Sequence, residues 1–181
     1  MNHRKQLIRT TILLISLLTL FMFYIVGTGC EAPTVSITQN EPYDLVDSGK
    51  HCDWDANQSK YEQLVEAGAS TWNSYKSVFR RDTILVLQDV RITDVNHAGN
   101  GWSGATSRAG GVIQLNKAYM DRSDWTDLNR RHTIYHELGH ALGLGENNNG
   151  LSGNIMRQGK LENINLTLDD AASFEAASER Y

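Results

Sequence analysis

Apolar side chains recur every three or four residues in the stretch that begins near Ser59. They are Tyr61, Leu64, Val65, Gly68, Trp72, Tyr75 and Phe79. This spacing places them on one face of an α-helix, so the pattern predicts an amphipathic helix over residues 61–80. Ser59 and Glu62 have the Ser-x-x-Glu spacing of a capping box, which predicts where that helix begins. Gly68 lies on the predicted buried face, where the missing side chain would let another element pack closely.

Strand-like patterns follow this helix. Residues 83–90 are β-branched and apolar, which predicts a strand that residues 91–95 could extend. Residues 96–111 contain five glycines together with serine and asparagine, so we expect a loop with tight turns there.

A short alternating segment comes next, at residues 112–116. Ile113 and Leu115 point to one side of a predicted strand, and Val112 and Gln114 point to the other. Such a pattern is typical of a half-buried strand, and we interpret it as an edge of the sheet.

Two further helices are predicted in the C-terminal half. Residues 126–144 have helical spacing of apolar side chains, and Gly143 offers the left-handed conformation that ends many helices. Thr167 is a good N-cap for a last helix, because acidic residues follow it in the first turn. The chain is therefore expected to be α+β, with a small twisted mixed sheet packed on two long helices and a C-terminal helix.

The N-terminus has a different pattern. Arg4, Lys5 and Arg9 precede residues 10–29, which carry no charge. Positive residues followed by an apolar run are typical of an export signal, and about 20 residues would also span a bilayer. We therefore divide the chain into a signal peptide or membrane anchor (1–30), a tether and irregular lead-in (31–58) and a folded domain (59–181).

The end of the apolar run is Gly27-Thr28-Gly29-Cys30, which resembles the lipobox of bacterial lipoproteins. The resemblance implies cleavage before Cys30 and a lipid on its sulfur. An uncut anchor and plain secretion remain open, and all three place the rest of the chain outside the cytoplasm. A disulfide between Cys30 and Cys52 is possible only if Cys30 carries no lipid.

Composition narrows the class of protein. The 181 residues are 40% hydrophobic and 21% charged, as in ordinary globular domains. The formal net charge is −4, and the basic residues cluster only at the N-terminus. We therefore expect no nucleic-acid partner, since such binding needs a basic face.

Chemistry is concentrated in the second predicted helix. His136 and His140 are four residues apart, so both imidazoles lie on one helix face and could hold a single zinc ion. Glu137 would lie beside the open position of the metal and act as general base on a zinc-activated water. His132 lies about 12 Å from His140 along the helix axis, so it is not expected to join them. Glu146 is the best candidate for a third ligand.

Segment 136–146 has a recognisable order: His136-Glu137-Leu-Gly-His140-Ala-Leu-Gly143-Leu-Gly-Glu146. It resembles the extended zinc signature of the metzincin metallopeptidases, most closely the matrixin-like branch. The resemblance covers residues 61–181 and includes three other matches. These are Trp72-Asn73 in the first helix, Asn154-Ile155-Met156 as a turn below the metal, and Leu166-Thr167-Leu168-Asp169-Asp170 at the last helix.

The resemblance implies a metzincin-like, zincin-like catalytic domain over 59–181 that uses Zn²⁺ and takes peptide or protein substrates. Met156 would support the site structurally. An edge strand would pair with the substrate, and Val112, Ile113, Gln114 and Leu115 are the candidates. In some latent matrixins a cysteine caps the zinc, and Cys52 is the candidate here, although that family's surrounding motif is missing.

The chain departs from the family at the third ligand. That residue is usually histidine and sometimes aspartate in the family, whereas this chain has Glu146, with Asn147 or water as alternatives. Two histidines and one glutamate are nevertheless a competent catalytic zinc set. The sequence therefore predicts an extracytoplasmic zinc-dependent endopeptidase. A non-catalytic, zinc-containing module that binds a partner at the cell surface is the alternative, which the retained Glu137 disfavours.

Overall fold

The computed structural model describes residues 35–37, 41–83, 87–150 and 153–181. The predicted export signal and lipobox fall on residues 1–30, which lie outside the described residues. None of the helices in these described ranges combines the length and the apolar character that crossing a bilayer requires.

A five-stranded mixed sheet forms one layer of the domain, in the order β2-β1-β3-β5-β4. Neighbouring strands are parallel except for β4, which runs antiparallel to β5. The strands are β1 (Cys52–Gln58), β2 (Phe79–Arg81), β3 (Val90–Val95), β4 (Gly104–Ser107) and β5 (Val112–Asn116).

Four helices accompany the sheet in the described ranges: α1 (Glu62–Asn73), α2 (Lys117–Met120), α3 (Asp127–Ala141) and α4 (Leu168–Ser178). Helices α1 and α3 meet at Gly68, where an added Cβ would lie 2.6 Å from Tyr135 Cδ1 and 2.8 Å from Leu138 Cδ1. The indole nitrogen of the buried Trp72 donates to the Tyr135 carbonyl at 2.9 Å. The α+β architecture and the close approach at Gly68 agree with the sequence analysis.

The two C-terminal helices begin at capping boxes. The Thr126 side chain accepts from Asn129 N and the Asn129 side chain accepts from Thr126 N, and Thr167 and Asp170 form the same pair. Helix α3 ends before Gly143, whose φ of 81° is left-handed. The predicted positions of both helices are therefore correct to within a few residues.

The first helix ends earlier than predicted, at Asn73 rather than near residue 80. The Asn73 carboxamide accepts from Val78 N at 2.9 Å and from Phe79 N at 2.8 Å, which turns the chain into β2. The predicted capping box at Ser59 is also absent. The Ser59 hydroxyl instead donates to Asp94 at 2.6 Å, and the Glu62 carboxylate pairs with an arginine of β2.

The expectation of an irregular lead-in over residues 31–58 is wrong for β1, which lies inside the sheet between β2 and β3. Its Asp53 is 1% exposed and receives two hydrogen bonds of 2.7 Å from the Arg80 guanidinium. This ion pair explains how an acidic sequence can form an inner strand. Alternate residues of β1 belong to the core: Cys52, Trp54 and Ala56.

The predicted strand over residues 83–90 is displaced. Regular pairing begins at Val90, whereas residues 87–89 are irregular and residues 84–86 lie outside the described residues. Regular pairing starts late because of Asp89. Its carboxylate accepts a hydrogen bond from Asp53 N at 2.8 Å and bends the chain locally.

The remaining correction concerns the edge of the sheet. The predicted loop over residues 96–111 contains β4, which is the outermost strand beyond β5. Val112–Asn116 pairs on both sides and is therefore an inner strand, not an edge.

Candidate metal centre

Helix α3 brings two imidazole nitrogens to one point. The Nε2 atoms of His136 and His140 lie 3.1 Å apart, and the rings are nearly perpendicular at 86°. His136 is buried, and only 13% of the His140 side chain is exposed. The helical spacing of four residues therefore does what the sequence predicts.

Backbone carbonyl groups fix the other ring nitrogens. His136 Nδ1 lies 2.9 Å from the Ile155 oxygen, and His140 Nδ1 lies 2.7 Å from the Leu144 oxygen. A carbonyl oxygen can only accept, so each Nδ1 carries a proton, and Nε2 is the atom that faces Glu146 and that, in the neutral ring protonated at Nδ1, offers a lone pair to a metal. This is the tautomer that a metal-binding histidine needs.

Glu146 completes the group, because the chain turns back after Gly143. Its Oε1 atom lies 3.5 Å from His136 Nε2 and 3.3 Å from His140 Nε2. The three ligand atoms lie within 4.8 Å of one another. Two imidazole nitrogens and one carboxylate oxygen fit zinc, whose catalytic sites use this donor set.

The charges in this group also suit a cation. Burial alone would raise the pKa of Glu146, but hydrogen bonds from His136 and His140 lower that pKa to about 2. Burial opposes a charge on His136, yet Glu146 and then Glu137 raise the pKa of that ring. An ionised carboxylate therefore faces both imidazoles.

Other candidates from the sequence are placed elsewhere. Asn147 is buried and its amide donates to the Ser36 carbonyl at 2.9 Å, so it is not part of the ligand group. His132 is also buried, between the carbonyls of Asn163 and Arg157 at 2.8 Å and 3.2 Å. Burial lowers the pKa of His132, which has a structural position as expected.

Cys52 does not belong to the metal group either. Its side chain is fully buried in β1, and burial followed by the charge of Asp89 raises the pKa of the thiol. A neutral thiol in the core is not a candidate for capping zinc. Cys30 lies outside the described residues, so the possible disulfide stays a prediction.

Glu137 lies next to the ligand pair and faces strand β4. Its Oε2 atom accepts a hydrogen bond of 2.6 Å from the Thr106 hydroxyl. An added Cβ at Gly104 would lie 2.7 Å from Glu137 Cγ, so glycine at this position leaves room for the carboxylate. Sequence reasoning missed Thr106 and Gly104, because a glycine-rich segment gave no strand signal.

Met156 packs against helix α3. A Cβ at Gly139 would collide with Met156 Sδ, so the glycine of the zinc motif permits this contact. The Asp170 carboxylate holds the turn, since it accepts from Ile155 N at 2.9 Å and from Met156 N at 3.3 Å. Met156 therefore has the supporting position expected from the sequence.

The four residues proposed to bind substrate need correction. Val112, Ile113, Gln114 and Leu115 belong to β5, whose two sides are paired with β3 and β4. Their main-chain groups are used within the sheet. Within the described ranges, β4 is the edge strand that lies next to Glu137.

A cavity of about 440 Å³ adjoins the metal group. Its lining includes His136, Glu137, Glu146 and residues 157–160, and Gln158 Nε2 donates to Glu146 Oε1 at 3.0 Å. Three aromatic residues also line it: Trp102, Tyr119 and Trp125.

Comparison with known proteins bears on the fold. No profile of a known protein family matches the chain, and no curated protein matches its sequence. Archaemetzincin from Methanopyrus kandleri superposes with a TM-score of 0.53 at 13% identity, over 75% of this chain and 99% of that chain. The GM1-bound form of the ECX AB5 holotoxin covers 80% of this chain and 77% of its own at 18% identity, but its TM-score of 0.41 carries no weight.

The likeness to archaemetzincin identifies the class of fold. The chain has a metzincin-like, zincin-like α+β fold, and its described residues include one candidate metal group of two histidines and a glutamate, His136, His140 and Glu146. At this level of identity the comparison defines the architecture and leaves activity to be argued from the site.

Proposed function

We propose that this protein is a zinc-dependent endopeptidase that acts outside the cytoplasm. The observation that carries the proposal is the convergence of His136, His140 and Glu146 beside a buried carboxylate, Glu137. A purely structural zinc site has four protein ligands and no base beside it, whereas catalytic sites have three ligands and an open position.

His136, His140 and Glu146 would hold the metal. Zinc in such a site supplies Lewis acidity, which polarises the scissile carbonyl group and makes water a better nucleophile. The Glu146 side chain is 34% exposed, so the group opens toward solvent on the side where a substrate can approach.

Glu137 would move the proton. Thr106 occupies its Oε2 atom with a hydrogen bond of 2.6 Å, which leaves Oε1 to accept a proton from the attacking water. The same carboxyl group then delivers that proton to the departing amine. Peptide hydrolysis needs both transfers, and one well-held carboxylate can perform them.

Strand β4 would bind the substrate. It pairs with β5 on one side, and among the described residues no strand pairs with its other side, where an extended peptide could add. Added as a further strand, the peptide would run past Glu137 and the metal group. This role replaces the one that the sequence suggested for residues 112–115.

The location outside the cytoplasm rests on the sequence of residues 1–30, with a lipid on Cys30 as the preferred anchor. The matrixin-like relationship rests on the zinc motif, the Trp72-Asn73 pair and the turn at Met156. The alternative role as a non-catalytic binding module is favoured by the unusual Glu146 and disfavoured by Glu137.

Turnover separates these two functions. The fragment 35–181 would be loaded with zinc and incubated with casein, an unfolded substrate. Glu137→Ala is the matched control, because it keeps all three ligands. Cleavage by the wild type that a chelator and Glu137→Ala both abolish would support the peptidase. A folded, zinc-loaded wild type without cleavage of casein or of a whole-proteome peptide mixture would favour the binding module.

A further inference from the structure

The cavity beside the metal group has an unusual distribution of charge. Besides Glu137 and Glu146, its charged lining residues are Arg157 and Lys160. Both acids are engaged, Glu137 with the Thr106 hydroxyl and Glu146 with the two imidazoles. The ligand that the cavity attracts therefore depends on whether Arg157 and Lys160 already have acidic partners.

Lys160 already has an acidic partner, Asp124, which it shares with Arg122. Its ammonium group lies 3.1 Å from the Asp124 carboxylate and also contacts the Asp124 carbonyl. It lies 5.7 Å from the centre of the Trp125 ring, a further stabilising contact for the cation. A substrate would have to displace Asp124 to use this charge.

Arg157 differs from Lys160. Among the residues that the structure describes, none forms a hydrogen bond or an ion pair with its guanidinium group. The residue is half-buried in the segment directly after Met156, so the turn below the metal fixes its position. A partly buried guanidinium with no partner in the described part of the chain has several donors to offer, and a carboxylate is the group that fits them best.

The rest of the cavity suits a side chain of moderate length. Trp102, Tyr119 and Trp125 supply aromatic walls, against which methylene groups can pack. His132 lies between the carbonyl oxygens of Asn163 and Arg157, at 2.8 Å and 3.2 Å, so both of its ring nitrogens are already engaged. A glutamate or aspartate side chain would thus meet apolar walls and one available cation.

We propose that this cavity receives an acidic side chain next to the scissile bond, and that Arg157 is the residue that selects it. The inference rests on the proposed function and adds a substrate class to it: peptides with glutamate or aspartate beside the cleaved bond. Metal coordination and main-chain pairing on β4 would position the peptide, while Arg157 would discriminate among side chains.

Binding of zinc-directed probes tests this without turnover. Two dipeptide hydroxamates that differ only in a glutamate or a glutamine side chain would be titrated into the zinc-loaded Glu137→Ala protein. The expected result is about tenfold tighter binding of the glutamate probe, as for a charge-assisted hydrogen bond in a half-exposed position. Arg157→Gln should reduce this ratio to about one, and Lys160→Gln, the matched control, should leave it unchanged.

Cleavage-site mapping on a whole-proteome peptide mixture gives the second readout. The wild type should enrich acidic residues at one position beside the cut, and Arg157→Glu should favour lysine or arginine there. Equal binding of both probes by the wild type, or a preference that survives Arg157→Gln, would overturn the inference. Acid-selective binding without any cleavage would retain the role of Arg157 in the cavity and overturn the peptidase function alone.

Discussion

The hydroxyl of Thr106 on strand β4 donates to the Glu137 carboxylate on helix α3, over 2.6 Å. The same hydroxyl lies 3.1 Å from the Glu137 main-chain oxygen. One side chain thus joins the strand proposed to bind substrate to the residue proposed to move the proton.

Replacing Thr106 by valine removes this hydrogen bond and keeps the shape of the side chain. We expect kcat to fall about tenfold while KM changes less than about twofold. The Glu137 carboxylate would be held less firmly during proton transfer, whereas substrate binding would be little affected. Steady-state kinetics on a fixed peptide measures both quantities. Thr106→Ser restores the hydroxyl and should recover most of kcat, so equal losses in the two variants would argue against this positioning role.

Gly139→Ala tests the contact between helix α3 and Met156. The added methyl group would collide with Met156 Sδ and lie 3.0 Å from Trp72 Cζ2. We expect a loss of about 1–3 kcal/mol in the free energy of unfolding, the usual cost of overpacking a core. Urea denaturation measures this loss, and Gly153→Ala is a suitable control, since its Cβ would meet only Thr167 Cγ2 at 3.7 Å. Equal stability of the two variants would show that Met156 does not press on Gly139.

The pKa of Glu146 predicts how acid affects the metal-free protein. Its folded-state pKa of about 2 lies below the ordinary value of 4.5, so the ionised form stabilises the fold above pH 4.5. This contribution is lost as the pH falls through the window between those two values. Urea denaturation with a chelator present should show wild type more stable than Glu146→Gln at about pH 6, with a smaller difference at about pH 2.5. A stability difference between wild type and Glu146→Gln that does not depend on pH would mean that the imidazoles do not stabilise the ionised Glu146 carboxylate.

Truncation tests where the folded domain begins. Residues Val35–Tyr181 form one compact unit, and β1 is an inner strand of its sheet. The fragment 35–181 should therefore unfold cooperatively by circular dichroism, whereas 59–181 should not, because it lacks β1. The fragment 41–181 is the control that keeps β1 and removes the contacts that Ser36 makes with Asn147 and Asp169. Cooperative unfolding of 59–181 would contradict the place of β1 in the core.

Helices α3 and α4 could be predicted because the sequence features that specify them are local. Thr126 and Thr167 begin them with side-chain caps, and His136 and His140 are related by helical periodicity alone. The chain reversal that brings Glu146 back was also readable, since Gly143 adopts the left-handed conformation that glycine allows. These features depend on neighbours within about ten residues.

The missed features depend on distant partners. Strand β1 contains alternating apolar residues, but Asp53 and its neighbours disfavour a strand until Arg80 neutralises the buried charge. Strand β4 is short and begins with Gly104, so only its pairing with β5 reveals it. Thr106 and Arg157 gain their proposed roles from side chains and cavity walls that no local pattern encodes.

We propose that one zinc ion, held by His136, His140 and Glu146, makes this protein a peptidase. The most direct test of this proposal is to strip the metal from the fragment 35–181 and to add zinc back stepwise while peptide cleavage is measured. Activity should rise in proportion to added zinc and level off at one ion per chain, and Glu137→Ala should bind the same zinc and cleave nothing. Cleavage that persists without metal, or a fully zinc-loaded wild type that hydrolyses no peptide bond, would contradict the proposal.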